Sequence, residues 1–148
     1  MLTKIYILLL VAICLLLSFY DFKQNRLSNK LIGLLLAIQF LGIYLDQMYV
    51  TSFLIVLLSG LVIFGLRVMG AGDIKYASVL ALTLPTQWLL PALVLTALSG
   101  GFIAAIYLAW FKVRQLKGIQ VTAPGLPYGV AISLGFYFPI LNHYLTTL

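Results

Sequence analysis

Sixteen residues, from Ile5 to Tyr20, pass without one charged side chain, and uncharged apolar runs of this kind recur to the C-terminus. A run this long and this apolar reads as a helix that seeks hydrocarbon. The rest of the chain gives it little else to do. Apolar residues make up 64% of the 148 positions, charged residues 8%, and mean hydropathy is +1.15. Soluble globular chains hold about 45–50% apolar and roughly 25% charged residues. So little charge does not cover the surface of a soluble fold. The expectation is an all-α, polytopic integral membrane protein: a six-transmembrane-helix bundle forming a single domain over residues 1–148.

Breaks in the apolar pattern set the expected elements. Helix 1 covers Ile5 to Tyr20. A cleaved signal peptide is the competing reading, but no small-x-small pattern follows the run, since Ser18-Phe19-Tyr20 ends in bulk. Asp21 to Lys30 is a short polar connection. Helix 2 starts near Ser28 or Asn29, either of which can cap it, and runs to Leu45. Asp46 to Tyr49 is a turn. Helix 3 spans Ser52 to Met69, and Gly70-Ala71-Gly72 breaks it. Asp73 opens helix 4, which reaches Leu84 before Pro85. That is about 12 residues, or roughly 18 Å, against a hydrocarbon core of roughly 30 Å. A tilt, a shallow end, an extension past Pro85 or a dip of the glycine-rich segment resolves the mismatch. Helix 5 covers Gln87 to Phe111, followed by a basic connection from Lys112 to Thr122. A rigid turn, Pro124 to Gly129, leads into helix 6 from Tyr128 to Tyr144.

Charge sets the orientation. The connections after helices 1, 3 and 5 hold Lys23, Arg26, Lys30, Arg67, Lys75, Lys112, Arg114 and Lys117, eight of the nine cations. The positive-inside rule puts these connections in the cytoplasm and the N-terminus outside. The net charge of +6 is therefore boundary charge. With no basic stripe, nucleic acid is not an expected partner. Cys14 stands alone inside an apolar run, so neither a disulfide framework nor a CxxC zinc site is expected.

The acids are three, Asp21, Asp46 and Asp73, with no glutamate. Asp21 ends helix 1 and Asp73 opens helix 4, which puts both at one membrane face. Two close carboxylates share a proton, so one can activate water while the other polarises a peptide carbonyl. Gly70 and Gly72 let a substrate strand approach beside Asp73. The same residues admit plainer accounts: Asp73 as a helix cap, Asp21 as a surface ion partner of nearby cations, or both as ligands of a transported cation. Lys75 and Asn29 are candidates for site support, with roles in topology and capping as the alternatives. No His, Cys or Glu clusters with either Asp, and neither a metal nor a cofactor is expected.

Gly70-Ala71-Gly72-Asp73 matches the GxGD signature of membrane aspartic proteases. Asp21 followed by Leu27-Ser28-Asn29 resembles the D-x5-I-P-N pattern of the type IV prepilin peptidases, with Ser28 where that family often has proline. Pro124 to Gly129 resembles the family's Pro-aromatic segment. The resemblance implies an endopeptidase of the prokaryotic inner membrane that removes the basic leader of prepilins or pilin-like proteins at the cytoplasmic face. Asp21 and Asp73 are then the catalytic pair. Gly70 and Gly72 shape the site, and Asn29 and Lys75 support it. Larger members also N-methylate the new terminus and carry a cysteine-bearing cytoplasmic domain. The first connection here is about ten residues without cysteine, so methyl transfer is not expected. The short form resembles the minimal peptidases of tight-adherence (Flp-type) pilus systems. A non-catalytic membrane assembly component or a small transporter is the alternative from another class.

Overall fold

A computed structural model describes residues 2–24, 27–44, 48–66, 69–117 and 126–147. Those residues form six helices and no strand: α1 (Leu2–Gln24), α2 (Asn29–Tyr44), α3 (Val50–Gly65), α4 (Ala71–Ala81), α5 (Thr86–Leu116) and α6 (Tyr128–Thr147). Arg26, Asp46, Arg67, Pro124 and Gly125 lie outside the described residues.

Helix α4 is the axis of the bundle. It packs against α2, α3 and α6, while α6 also contacts α1 and α5. Every residue from Tyr76 to Leu84 is buried. Around this axis the usual distribution of side chains is inverted. Leu8, Leu15, Phe19, Leu58, Leu90, Phe102 and Phe138 stand more than 60% exposed. A monomeric soluble protein rarely carries so continuous an apolar surface. Two helices, Lys4–Gln24 and Thr86–Leu116, are long and apolar enough to cross a membrane, and Asn29–Phe40 and Val50–Gly65 are shorter apolar helices.

The boundaries depart from the sequence expectation in ways that matter for the site. Helix α1 runs on past Tyr20 to Gln24, so Asp21 lies inside its last two turns. Helix α3 stops at Gly65 rather than Met69, closing with a bond from Leu66 N–H to Val62 O. The expected three-residue glycine break shrinks to Gly70, whose backbone is extended (φ −73°, ψ 148°), and Ala71 and Gly72 already belong to α4. Helix α5 continues to Leu116 and takes up Lys112 and Arg114, which were expected in a connection. Cations complement the negative end of a helix, and the Arg114 guanidinium also lies 4.0 Å from the Trp110 ring centre.

The shortness of α4 is resolved by burial of its C-terminal turn. Leu82, Thr83 and Leu84 leave the helix yet stay buried. Their N–H groups bond to Val79, Leu80 and Ala81 carbonyls at 3.0–3.3 Å. The Thr83 hydroxyl donates to Leu80 O at 2.6 Å, and Tyr49 N–H donates to Leu82 O at 2.9 Å. Irregular backbone at this depth survives only because its polar groups are satisfied by protein.

Close contact of α5 and α6 depends on Gly135. A Cβ there would stand 2.6 Å from Thr96 Cα, a backbone atom that cannot step aside. Replacing Gly135 with alanine should therefore destabilise the bundle by roughly 1–3 kcal/mol, the cost of overpacking a filled contact. Gly101, on the same pair of helices, has open space around its missing Cβ. Gly101→Ala should leave stability unchanged or raise it by up to about 1 kcal/mol. Thermal unfolding in detergent compares the two; equal behaviour would contradict the packing.

Candidate active site

On α1, the buried positions Tyr6, Leu10, Ile13, Leu17 and Asp21 recur every three or four residues. They form the single helix face that looks into the protein. Asp21 ends that stripe, 3% exposed. A carboxylate this near a helix C-terminus opposes the helix dipole. Its compensation comes from another helix. Gly129 is the second residue of α6, where N–H groups have no partner within their own helix. The Gly129 N–H donates to Asp21 Oδ2 at 2.7 Å.

Gly129 has to be small here. A Cβ on it would lie 2.8 Å from Asp21 Oδ2, 3.1 Å from Asp21 Cβ and 3.0 Å from Leu27 Cδ2.

Asp73 is the third residue of α4, and Gly70 occupies the N-cap. An acid at this position folds back toward the cap, as in a capping box. A Cβ on Gly70 would lie 2.9 Å from Asp73 Oδ2. Gly70 thus serves by leaving room, since its φ is one that any residue adopts. Asp73 lies at the mouth of α4, ahead of the buried stretch that begins at Tyr76. The Gly70 backbone also supplies a hydrogen bond to the Asp73 carboxylate.

The two acids line one cleft of about 360 Å³, and every residue singled out from the sequence lines it with them: Gly70, Gly72, Asn29 and Lys75. Ser28 O accepts the first bond of α2, from Ile32 N–H at 3.1 Å. Ser28 therefore holds the cap position, and Asn29 is left facing the cleft. Leu27 and Leu126, which sequence reasoning passed over, supply apolar walls. Leu27 Cβ is 3.4 Å from where a Cβ on Gly72 would be. That is ordinary van der Waals contact, so space does not demand a glycine at 72, and Ala71 and Gly72 are helical rather than part of the expected break. Gly129 was also missed as a partner of Asp21. The available signal was a glycine in the first turn of a helix just after Pro127.

Two carboxylates in one cleft can share and pass a proton. The family model described as the type IV leader peptidase family matches residues 8–107, more than half of the chain. The protein belongs to the type IV leader peptidase family. Membership makes it a protease by family, and the matched span contains both Asp21 and Asp73. Gly129 and the rest of α6 fall beyond the match. No curated protein and no solved structure matches the chain.

The closeness of the two acids is measurable without substrate. The two carboxylates line one cleft, and neighbouring carboxylates sense each other's charge. Asp21→Asn should therefore shift the infrared titration of the Asp73 carboxyl band. An unchanged titration would mean that the two groups do not sense each other.

Proposed function

We propose that the protein is a membrane aspartic endopeptidase that cleaves the basic N-terminal leader from prepilins or pilin-like proteins. In this reading the whole chain is one six-transmembrane peptidase domain, oriented by its boundary cations with the N-terminus outside and the cleft at the cytoplasmic face. Family membership supports leader peptidase activity. The observation that carries the mechanism is the convergence of Asp21 and Asp73, from helices far apart in sequence, on one cleft.

Two carboxylates in one cleft share a proton, and we assign the roles by what each one meets. Asp21 accepts the Gly129 N–H at the start of α6, a contact an ionised carboxylate keeps. Asp73, the less enclosed of the two, carries the shared proton in this assignment. Ionised Asp21 takes a proton from water as the water oxygen attacks the scissile carbonyl carbon. Protonated Asp73 gives its proton to the carbonyl oxygen. Collapse of the tetrahedral intermediate breaks the C–N bond: the proton held by Asp21 passes to the departing amine, and a hydroxyl proton of the intermediate returns to Asp73, restoring the starting pair. The leader leaves with a new carboxylate, and the apolar helix keeps a new amino terminus. No metal or cofactor is required by these steps.

The substrate's chemistry suits the location. A basic leader stays in the cytoplasm for the same reason as this chain's own cations, and its following apolar helix shares the bilayer with the bundle. The short polar connection after α1 fits the minimal, tight-adherence type of peptidase, without methyl transfer.

Co-expression with a prepilin and separation of precursor from mature pilin on gels tests the reading. Asp21→Asn and Asp73→Asn should each reduce processing by at least about 10³-fold, the order of effect for loss of a group that acts as part of a catalytic unit. Asp46→Asn should process normally. Gly129→Ala, which crowds Asp21, should also be strongly impaired. Normal processing by either dyad variant sinks the assignment.

A further inference from the structure

The three helices that bring Asp21, Asp73 and Gly129 together are tied again one turn deeper. Ser18 precedes Asp21 by three residues on α1, Tyr76 follows Asp73 by three on α4, and Ser133 follows Gly129 by four on α6. Each spacing returns to the same helix face. Ser133 Oγ is the node. It donates to Gly129 O at 2.8 Å. It accepts the Ser18 hydroxyl at 2.6 Å and lies 2.7 Å from the Tyr76 hydroxyl. With its single proton given to Gly129, Ser133 uses both lone pairs to accept from Ser18 and Tyr76. Tyr76 has no exposed surface, and Ser133 is 9% exposed.

We propose that the Ser18–Tyr76–Ser133 node is a positioning device, fixing α1, α4 and α6 in the register that makes Asp21 and Asp73 face one water. The proposal rests on the endopeptidase reading and extends it to residues that touch neither substrate nor water. Apolar side chains would fill the same space without polar groups to satisfy. What they would not supply is direction. Apolar contacts tolerate sliding and rotation of one helix on another, whereas hydrogen bonds restrict both. Gly129 is held from two sides, its N–H by Asp21 and its carbonyl by Ser133. A change at the node therefore passes directly to the donor that holds Asp21. Misplacement of a catalytic group by about 1 Å can cost on the order of 10²-fold in rate.

The bundle contains a matched control. Tyr6 donates to Gln39 Oε1 at 2.6 Å, and Gln39 donates to Val79 O at 3.2 Å. This link is also buried and joins α1, α2 and α4. Along α1 it lies about 22 Å from Asp21, at 1.5 Å per residue.

Kinetics on purified protein with a prepilin distinguish positioning from general stability. Tyr76→Phe and Ser133→Ala should each lower kcat by about 10- to 100-fold with KM little changed, the range set by the misplacement cost above. Ser18→Ala should act in the same direction, and Ser18→Thr, which keeps the hydroxyl, should restore activity. Tyr6→Phe should lower Tm as much as Tyr76→Phe and leave kcat alone. The infrared titration supplies a readout independent of turnover. In Tyr76→Phe and in Ser133→Ala, the Asp73 carboxyl titration should shift from that of the parent toward its behaviour in Asp21→Asn. Equal kcat in the Tyr6 and Tyr76 variants, failure of Ser18→Thr to rescue, or an unmoved Asp73 titration would each overturn the proposal. If the parent protein leaves prepilins intact, the endopeptidase reading fails instead, and the infrared result still decides whether the node aligns the carboxylates. Should Tyr76→Phe not fold, the two serine variants decide.

Discussion

A buried carboxylate on the inner face of α1 needs a donor, and among the described residues the Gly129 N–H at the start of α6 supplies it. This bond determines much of what lies around it. It requires α6 to begin beside Asp21, and it excludes a side chain at position 129, where Asp21 and Leu27 already occupy the space. Leu27 lies against both Gly129 and Gly72, which places the apolar wall of the cleft. Losing one partner of a buried charged hydrogen bond is expensive, because the other stays desolvated. The rotation of α1, the start of α6 and the place of Leu27 are in this sense one constraint.

The solvent outside the bundle makes such constraints stronger. When lipid covers the surface, burial of apolar groups gives helices little reason to associate, and packing and hydrogen bonds carry the assembly. The structure shows both. Gly135 lets α5 and α6 meet at backbone distance, and Gln39 and Ser133 each tie several helices by hydrogen bonds. Helix α4 benefits most. Short and nearly enclosed, it has its C-terminal turn satisfied by protein and only its first turn open to the cleft.

The number, order and type of helices were legible because the apolar runs are long and their interruptions sharp. The family was legible for a different reason: Asp21, Leu27 to Asn29 and Gly70 to Asp73 are chemically unusual in so apolar a chain. What stayed hidden was the direction each helix faces. In α1 the buried stripe from Tyr6 to Asp21 is flanked by equally apolar Leu8, Leu15 and Phe19, which face outward. Hydrophobic periodicity carries no signal when both faces meet hydrocarbon. Ser18, Tyr76 and Ser133 therefore read as unremarkable members of three runs, and their meeting is visible only in three dimensions. The glycine segment was legible as a break but not in its extent. Gly70 is extended and leaves clearance for Asp73, while Ala71 and Gly72 already belong to an almost regular helical start.

That clearance bears on how a peptide bond is presented to the acids. With α4 helical from Ala71, the site contributes little unwound backbone of its own, so the extended segment has to come from the substrate. A leader joined to an apolar helix provides one at the membrane boundary, where its helix ends and its backbone bonds are no longer closed internally. Asp73, in the first turn of α4, is partly exposed to the cleft, while Asp21 is buried against the start of α6. On the proposed reading an approaching carbonyl meets Asp73 first, and the water lies between the carbonyl and Asp21. The proposed division, proton donor at Asp73 and water activation at Asp21, follows that order of approach.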